Sequence, residues 1–501
     1  MDFSHLRALF DKENRPVGLG SIIANTNQRR RNMINTEGLL YRELVRRNTV
    51  KMLGSGVALI YIKRHLIHDV TSPIGFDEIH ESGGFVRRPE LCLAVPDHNI
   101  PTVGTPDSIA DVYSRIQVEA LTANTKRWGI EMYPMGNRRQ GIVHIVGPET
   151  GFTLPGTSLI CGDSHTGTHG AFATLAFGVG TSEVRHGMET TTLPHPLLKT
   201  RHIVLKGKMR ADAAAKDAII HIIRQLGAGG GKGYAYEYSG EAISAMSMSE
   251  RMTICNMTIE GGARIGLMGV DQTTLNWVSR TPKFTALSKS VQQDALAFFQ
   301  TLRSAPDARF DDVVVIDASL VEPMVTWGTS PDQSVPISDG RIPFLVELPL
   351  KSHPDAIKSL EYMGLEEGMP ISNIPISHVF IGSCTNGRRE DFHKVRDVVQ
   401  GKKVASHITA WAVPGSGIVA EQLEADGTFG VLRAAGFHVR NPGCSACLAM
   451  NDDKIPAGRH CVSTSNRNFE NRQGPGARTH LVSPVVAAKT AIHGFITTQN
   501  N

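Results

Sequence analysis

The sequence predicts an α/β protein of three units, each a sheet packed against helices, and three observations lead there. The first is a recurrent grammar: short apolar runs stop in tight polar loops that carry Asp, His or Cys. In open α/β sheets the loops beyond the carboxyl ends of the strands converge on one crevice, so several of these loops are expected to share a site. The second is a helical period between such runs, with Ala215, Ile219, Ile222, Ile223 and Leu226 at i, i+3/i+4 spacing and Gly227 where a helix stops. The third is size: 501 residues exceed what one core organises and point to two to four packed units.

Composition narrows the class. With 41% hydrophobic and 20% charged residues the chain is ordinary for a globular protein. A net charge of +4, from 52 basic and 48 acidic residues, gives no whole-chain signal for nucleic acid or an anionic membrane. Seven cysteines form an odd set without a regular framework, which argues against a disulfide scaffold and for a reducing compartment. No apolar run reaches the roughly 18 to 20 residues of a membrane-spanning helix. The chain therefore reads as soluble and cytoplasmic. Residues 1–50 contain eight arginines, as a mitochondrial transit segment would, but five acidic residues among them speak against it.

Taken in order, residues 1–50 show no sustained period and read as an N-terminal extension outside the main fold. Val57–Tyr61 is a buried-strand candidate, and the polar segment after it carries His68 and Asp69. Leu91–Val95 ends in Pro96-Asp97-His98, and Gly141–Gly147 reads as another strand-like run with His144 in its middle. Thr157–Cys161 ends in Gly162-Asp163-Ser164-His165-Thr166. Residues 201–207 read as a strand that opens a second unit, and Asp212–Leu226 as its helix. The run Gly227–Gly233 fails as a phosphate loop, because Leu226 and Gly233 stand where Gly and Ser or Thr are required. Asn256 and Glu260, four apart, are expected on one helical face. Val313–Ile316, a β-branched run, predicts a fully buried parallel strand near the start of a third unit. Within that unit strand-like runs lead to Cys384, to Pro414-Gly415-Ser416-Gly417, to Cys444 and Cys447, and to Asn466-Arg467.

Three thiols, Cys384 plus the Cys444/Cys447 pair, sit on loops rich in Gly, Asn, Ser and Pro. Spacing alone leaves open a zinc site, a redox dithiol, an iron–sulfur cluster with one iron lacking a protein ligand, or unrelated core cysteines. Arg467 and Arg472 are suited to bidentate carboxylate binding, although a lone arginine pair is more often a surface salt bridge. Asp97-His98 and Asp163-Ser164-His165 offer carboxylates that orient imidazoles for proton transfer. Ser164 lacks the strand-to-helix elbow of a hydrolase nucleophile. Taken together, an open iron, carboxylate-binding arginines and Asp–His pairs suit moving water on or off a hydroxy di- or tricarboxylic acid.

These same motifs resemble the aconitase superfamily. The likeness is carried by Gly162–Thr166, Gly382-Ser383-Cys384-Thr385-Asn386, Pro442-Gly443-Cys444 through Cys447–Asn451, and Ser463–Glu470. Ile60–Pro73, Val86–Glu90 and Arg472–His480 are most similar to the large subunits of the 3-isopropylmalate dehydratase branch, and the match spans about residue 56 to about residue 495.

The resemblance implies three α/β/α domains, at 51–200, 201–311 and 312–501, around a central [4Fe–4S] cluster held by Cys384, Cys444 and Cys447. It implies a hydro-lyase that converts 2-isopropylmalate to 3-isopropylmalate through the unsaturated acid, a step of leucine biosynthesis. Asp97, His98, His144, Asp163 and His165 would form the acid/base and hydrogen-bonding set. Asn256 and Glu260 would contact cluster-bound oxygens, Asn466 would bond near the cluster, Arg467 and Arg472 would bind carboxylate, and His68 and Ser164 would complete the polar site. A second Gly-Ser-Ser-Arg-type segment is missing, so the swivel domain is expected on a separate small subunit. Arg185 and Gly167 depart from the pattern and raise a specialised paralogue acting on a related alkylmalate or homoaconitate-type acid. One branch of the superfamily binds RNA after losing its cluster, which supplies the alternative of another class.

Overall fold

The computed structural model describes residues 37–54, 56–104 and 109–499. The first part of the chain carries α1 (Leu40–Asn48), β1 (Thr49–Met52), β2 (Val57–Tyr61), β3 (Arg64–Ile67), β4 (Cys92–Ala94), β5 (Glu131–Met132), α2 (Val143–Thr150), β6 (Ser158–Cys161), β7 (Leu175–Gly178) and β8 (Thr192–Pro196). β5-β4-β3-β6-β7 form an all-parallel sheet, and β1-β2-β8 a small antiparallel one. The strands β3, β4 and β6 are buried throughout, as a parallel sheet covered on both faces requires.

The second sheet is β11-β10-β9-β12, built from β9 (Lys199–Lys206), β10 (Tyr234–Ser239), β11 (Ile265–Met268) and β12 (Asp312–Asp317). α3 (Ala215–Leu226) and α4 (Met248–Met257) belong to this part of the chain. α3 starts at Ala215, three residues later than the expected Asp212, because Asp217 Oδ2 accepts the Ala214 N–H at 2.8 Å and caps the helix there. Gly227 ends it at φ +83°, the left-handed region that glycine tolerates. The third sheet, β17-β16-β15-β18-β19, is again parallel, from β15 (Ile376–Ile381), β16 (Thr409–Ala412), β17 (His438–Val439), β18 (His460–Ser463) and β19 (Arg478–Leu481). A hairpin, β13 (Met324–Thr326) with β14 (Ser334–Pro336), precedes it, and α5 (Arg389–Val399) follows the Cys384 loop in the chain. The fold is thus α/β with three principal parallel sheets. The first two share one contiguous apolar core, which Leu481 of β19 joins, while the main core of the third sheet is separate.

Five further expectations change. Residues 40–50 are part of the fold, not of an extension: Leu40, Tyr41, Leu44 and Val45 on α1 are buried in the main core. Each such side chain removed from water contributes about 1.5–3 kcal/mol, and the Tyr41 hydroxyl pairs with His195 Nε2 and accepts the Leu198 N–H, both at 3.0 Å. The remainder of that segment, 1–36, lies outside the described residues. The Gly141–Gly147 run is largely helical, in α2, because Asp97 Oδ2 accepts the Val143 N–H at 3.1 Å and initiates the turn from across the site. Val313 and Val315 are 55% and 59% exposed, since β12 is the sheet's edge and one of its faces is uncovered among the described residues. Being paired with β9, β12 closes the second sheet instead of opening the third unit. Finally, α4 ends at Met257 and Glu260 lies on the following 3-10 turn, so Asn256 and Glu260 do not share an α-helical face. Among the described residues no helix is long and apolar enough to cross a membrane.

Candidate active site and cluster pocket

Parallel topology places the loops after β3, β4 and β6 side by side, and these carry His68-Asp69, Asp97-His98 and Asp163-Ser164-His165. Asp69 builds the first of them into a frame: its Oδ1 accepts the Asp97 N–H at 2.8 Å and its Oδ2 the Asn99 N–H at 2.8 Å. The loops after β15, β17 and β18 face them and carry Cys384, Cys444/Cys447 and Asn466-Arg467. The second unit contributes Asn256 from α4 and Glu260 just beyond it.

Asp163 is the hub of the histidine network. Its Oδ1 lies 2.9 Å from His144 Nε2 and accepts the His165 N–H at 2.7 Å, and its Oδ2 lies 3.5 Å from His98 Nε2. Beyond it, His165 Nε2 meets Glu260 Oε1 at 2.8 Å, and the same oxygen accepts Arg467 Nε–H at 2.7 Å. On the other side His144 Nδ1 meets His169 Nε2 at 3.1 Å, and His169 Nδ1 meets the Thr153 hydroxyl at 2.7 Å. One assignment of tautomers satisfies that arm with neutral rings: Thr153 donates to His169, His169 to His144, and His144 to Asp163.

Burial opposes every charge here, and the pairings overcome it. Burial would raise the Asp163 pKa, yet hydrogen bonds from His144, His165 and His98 hold it well below the ordinary carboxylate value. Burial likewise opposes the His98 imidazolium, but the Asp97 and Asp163 carboxylates keep its pKa well above the usual histidine value. Glu260 is held low against burial by His165 and Arg467. His68, whose ring centroid is 4.7 Å from that of His98, is pushed down by burial and by the neighbouring imidazole. The arrangement favours the imidazolium form of His98, set between two carboxylates, and the neutral form of His68 beside it.

The three cysteines are buried and free. Asn256 and Asn466 each direct an Nδ2–H at Cys384 Sγ from 3.2 Å, and Asn466 Oδ1 lies 3.7 Å from Cys447 Sγ. Arg472 Nη2 is 4.0 Å from Cys447 Sγ, and its Nε is buried without a hydrogen-bond partner. His98 bonds to the Cys444 side chain, and the Cys444 N–H is donated to Asp97 O at 2.9 Å. Ser383 at φ +73° and Ser445 at φ +52° put a left-handed, non-glycine residue beside a cysteine in both loops. Such strain persists only where the surroundings hold it, here through Ser383 Oγ accepting the Thr385 N–H at 3.1 Å and Ser445 Oγ donating to Asp453 at 2.7 Å.

This donor set fits an iron–sulfur cluster better than a single ion. Three sulfurs sharing one zinc would lie about 3.8 Å apart. Among the described residues the one group of potential ligands lying wholly within 4.8 Å is His68, Asp69, Asp97 and His98, and the cysteines form no such group. Asp69 in that group is already committed to backbone amides. Thiols with amide donors aimed at sulfur, beside an arginine holding an unpartnered buried N–H, match an anionic multi-iron cluster. Burial pushes the Cys384 thiol up to about 12, so the metal itself must displace its proton.

A cleft of about 630 Å³ joins the two halves, lined by His68, His98, Asp163, Ser164, Arg467 and Arg472. All fifteen residues singled out in the sequence thus lie on this cleft or in the hydrogen-bonded shell and cysteine loops behind it. Arg185 does not: it sits on the surface, 3.0 Å from Glu189 and 3.5 Å from Glu78. Gly167 lies inside, where an added Cβ would meet Cys255 O at 3.3 Å. Sequence reasoning missed Arg264, which lines the cleft and stacks over Phe177 at 4.8 Å, because it stands alone in no motif. It also missed His169, whose i+4 spacing from His165 was the available signal, and Lys216, fully buried on α3, which donates to Thr464 O at 2.8 Å and to Ser465 O. A family model described as Aconitase family (aconitate hydratase) matches residues 38–494.

Proposed function

Because the chain belongs to the aconitase family, we propose that it is the catalytic subunit of a hydro-lyase isomerising 2-isopropylmalate to 3-isopropylmalate, as in leucine biosynthesis. The observation carrying the choice of an alkyl-substituted acid is the cleft's mixed wall. Arg467 and Arg472 stand on it together with Val70, Val179, Ile259 and Leu448, so carboxylates and a branched apolar group both find complementary surface.

When bound, a [4Fe–4S] cluster held by Cys384, Cys444 and Cys447 supplies a Lewis-acidic iron suited to a hydroxyl group. The chain's own residues do the rest. Arg472 and Arg467 hold carboxylate, and Glu260 fixes the Arg467 guanidinium through Nε. His98 carries the proton to be delivered: Nδ1 is anchored on Asp97, leaving the Nε2 proton, loosely held 3.5 Å from Asp163, to go to a departing hydroxyl. Asp163 keeps His144 and His165 in register around it. The reading includes a separate small subunit that closes the open cleft and supplies the base removing the carbon-bound proton.

A second reading is favoured by Arg264. A third arginine on the cleft, donating to Gly178 O at 3.3 Å and 3.8 Å from Glu183, suits an acid with a further carboxylate, of the homoaconitate type. Anaerobic reconstitution with iron, sulfide and a small subunit, followed by absorbance of the unsaturated intermediate over a panel of alkylmalates and tricarboxylates, distinguishes the two. A cluster-loaded complex that turns over neither class overturns both.

A further inference from the structure

A second cavity of about 620 Å³ lies against the far ends of the elements that build the active site. α2 carries His144 at its start, in the Asp163 network, and lines this cavity at its other end with Pro148 and Glu149. α4 lines it with Met248 and Met252 and, one turn beyond Met252, presents Asn256 to Cys384 Sγ. The Cys384 loop runs directly into Arg388 on the cavity wall. That guanidinium donates back to Cys384 O and Thr385 O, both at 2.7 Å, and Ile145, also on the wall, packs against Cys384.

The cavity's chemistry is two-sided. Ile145, Pro148, Met248, Met252 and Trp277 make an apolar wall. Arg280, Arg388 and Arg389 supply cations. Arg389 is neutralised by Asp426 at 2.9 Å, but Arg280 and Arg388 make no ion pair among the described residues. Two acids share the wall, Glu390, which accepts from the Ser247 hydroxyl at 2.5 Å, and Glu149, which accepts from Ser416 at 2.7 Å, and together with Asp391 they offset part of the Arg388 charge. Burial pushes the Glu149 carboxyl up to about 7, which reduces its charge near neutrality. Arg280 on the rim makes no ion pair among the described residues, and Arg388, whose two Nη groups are spent on backbone carbonyls, keeps a buried Nε–H without a hydrogen-bond partner, so beside the apolar wall the cavity is complementary to an anion with an aliphatic tail.

We propose that this cavity is a regulatory binding site for a small aliphatic monocarboxylate, with the carboxylate toward Arg280 and Arg388 and the tail against Met248, Met252 and Trp277. Occupancy bears on Cys384, His144 and Asn256 through the Cys384 loop, α2 and α4, each of which runs from this cavity to one of those residues. The site is independent of which acid the catalytic cleft takes.

Calorimetric titration of the full chain with 4-methylpentanoate, and with its primary amide as a neutral control, tests the site. Saturable binding of the acid is expected, at least about tenfold tighter than the amide, and weakened at least about tenfold by Arg280→Glu on the exposed rim. Thr273→Trp, which fills the mouth, should abolish it, with circular dichroism confirming the fold. Absence of saturable binding, equal binding of acid and amide, or indifference to Arg280→Glu overturns the site. The coupling is read as the rate of Cys384 alkylation by iodoacetamide in the metal-free chain. A change of about twofold or more on adding the acid supports it, and an unchanged rate with the acid bound overturns the regulatory role.

Discussion

Replacing Asp163 by Asn tests the hub that orders the proton-handling residues. The amide keeps the shape and one acceptor oxygen, so the His165 N–H at 2.7 Å retains its partner. What is lost is the charge that His144 Nε2 meets at 2.9 Å and His98 Nε2 at 3.5 Å. A hydrogen bond to a charged group contributes about 1.5–3 kcal/mol, and the longer contact counts for less. The sum is about 2–4 kcal/mol of transition-state stabilisation, or about 30-fold to about 1,000-fold in kcat. The pH profile carries the second signature. His98 must be protonated to act as the acid, and its pKa is raised by Asp97 and Asp163, so activity falls as pH rises through that pKa. Removing one of those carboxylates lowers the pKa, and the alkaline limb moves to lower pH in the variant. Steady-state kinetics of the reconstituted complex against pH measures both. A kcat within about threefold of the parent, or an alkaline limb that stays in place, would refute the assignment of Asp163 as the residue that holds His98 charged.

Three other substitutions probe separate parts of the site. Cys384→Ser leaves the two amide donors aimed at it without a thiolate, and the broad visible absorbance of the reconstituted cluster should fall to near background while the chain stays folded by circular dichroism. Arg472→Gln removes one carboxylate-binding charge, so KM should rise by about tenfold to about 100-fold, with the titrated substrate affinity following it. Lys216→Met leaves the Thr464 and Ser465 carbonyls buried without their donor. Denaturant unfolding should show a loss of about 2–5 kcal/mol, together with a displaced Asn466 and a weakened cluster.

Much of the site was legible because each polar loop follows a strand, and parallel pairing carries those loops to one edge. Cys384, Cys444 and Asp163 could be grouped on that basis before any coordinates. The helical state of residues 143–150 was not legible: a short apolar run has no readable period, and Pro148 near its end argues against a helix that a distant Asp97 nevertheless starts. The exposure of Val313 and Val315 depends on β12 being an edge strand, which is a property of the sheet and not of the run. α1 was missed because its four core residues are set among arginines, and only packing against the first sheet gives them meaning. Arg264 and Lys216 have no spacing to announce them; one is found by the cleft it lines and the other by the carbonyls it holds.

The division of the apolar core has a consequence for how such an enzyme can fail. All three cysteines belong to the third unit, whose main core is separate and which meets the first through Leu481 and the Ile142/Ile145 contacts of Cys384 and Cys444, whereas the histidines and Asp163 belong to the first and Asn256 and Glu260 to the second, which share a core. A small rotation of the third unit as a body would leave its cysteine loops intact while carrying them away from the proton donors. On the proposed function, cluster loading and turnover would therefore be separable, and a fully loaded preparation could be catalytically silent for reasons that no iron assay would detect.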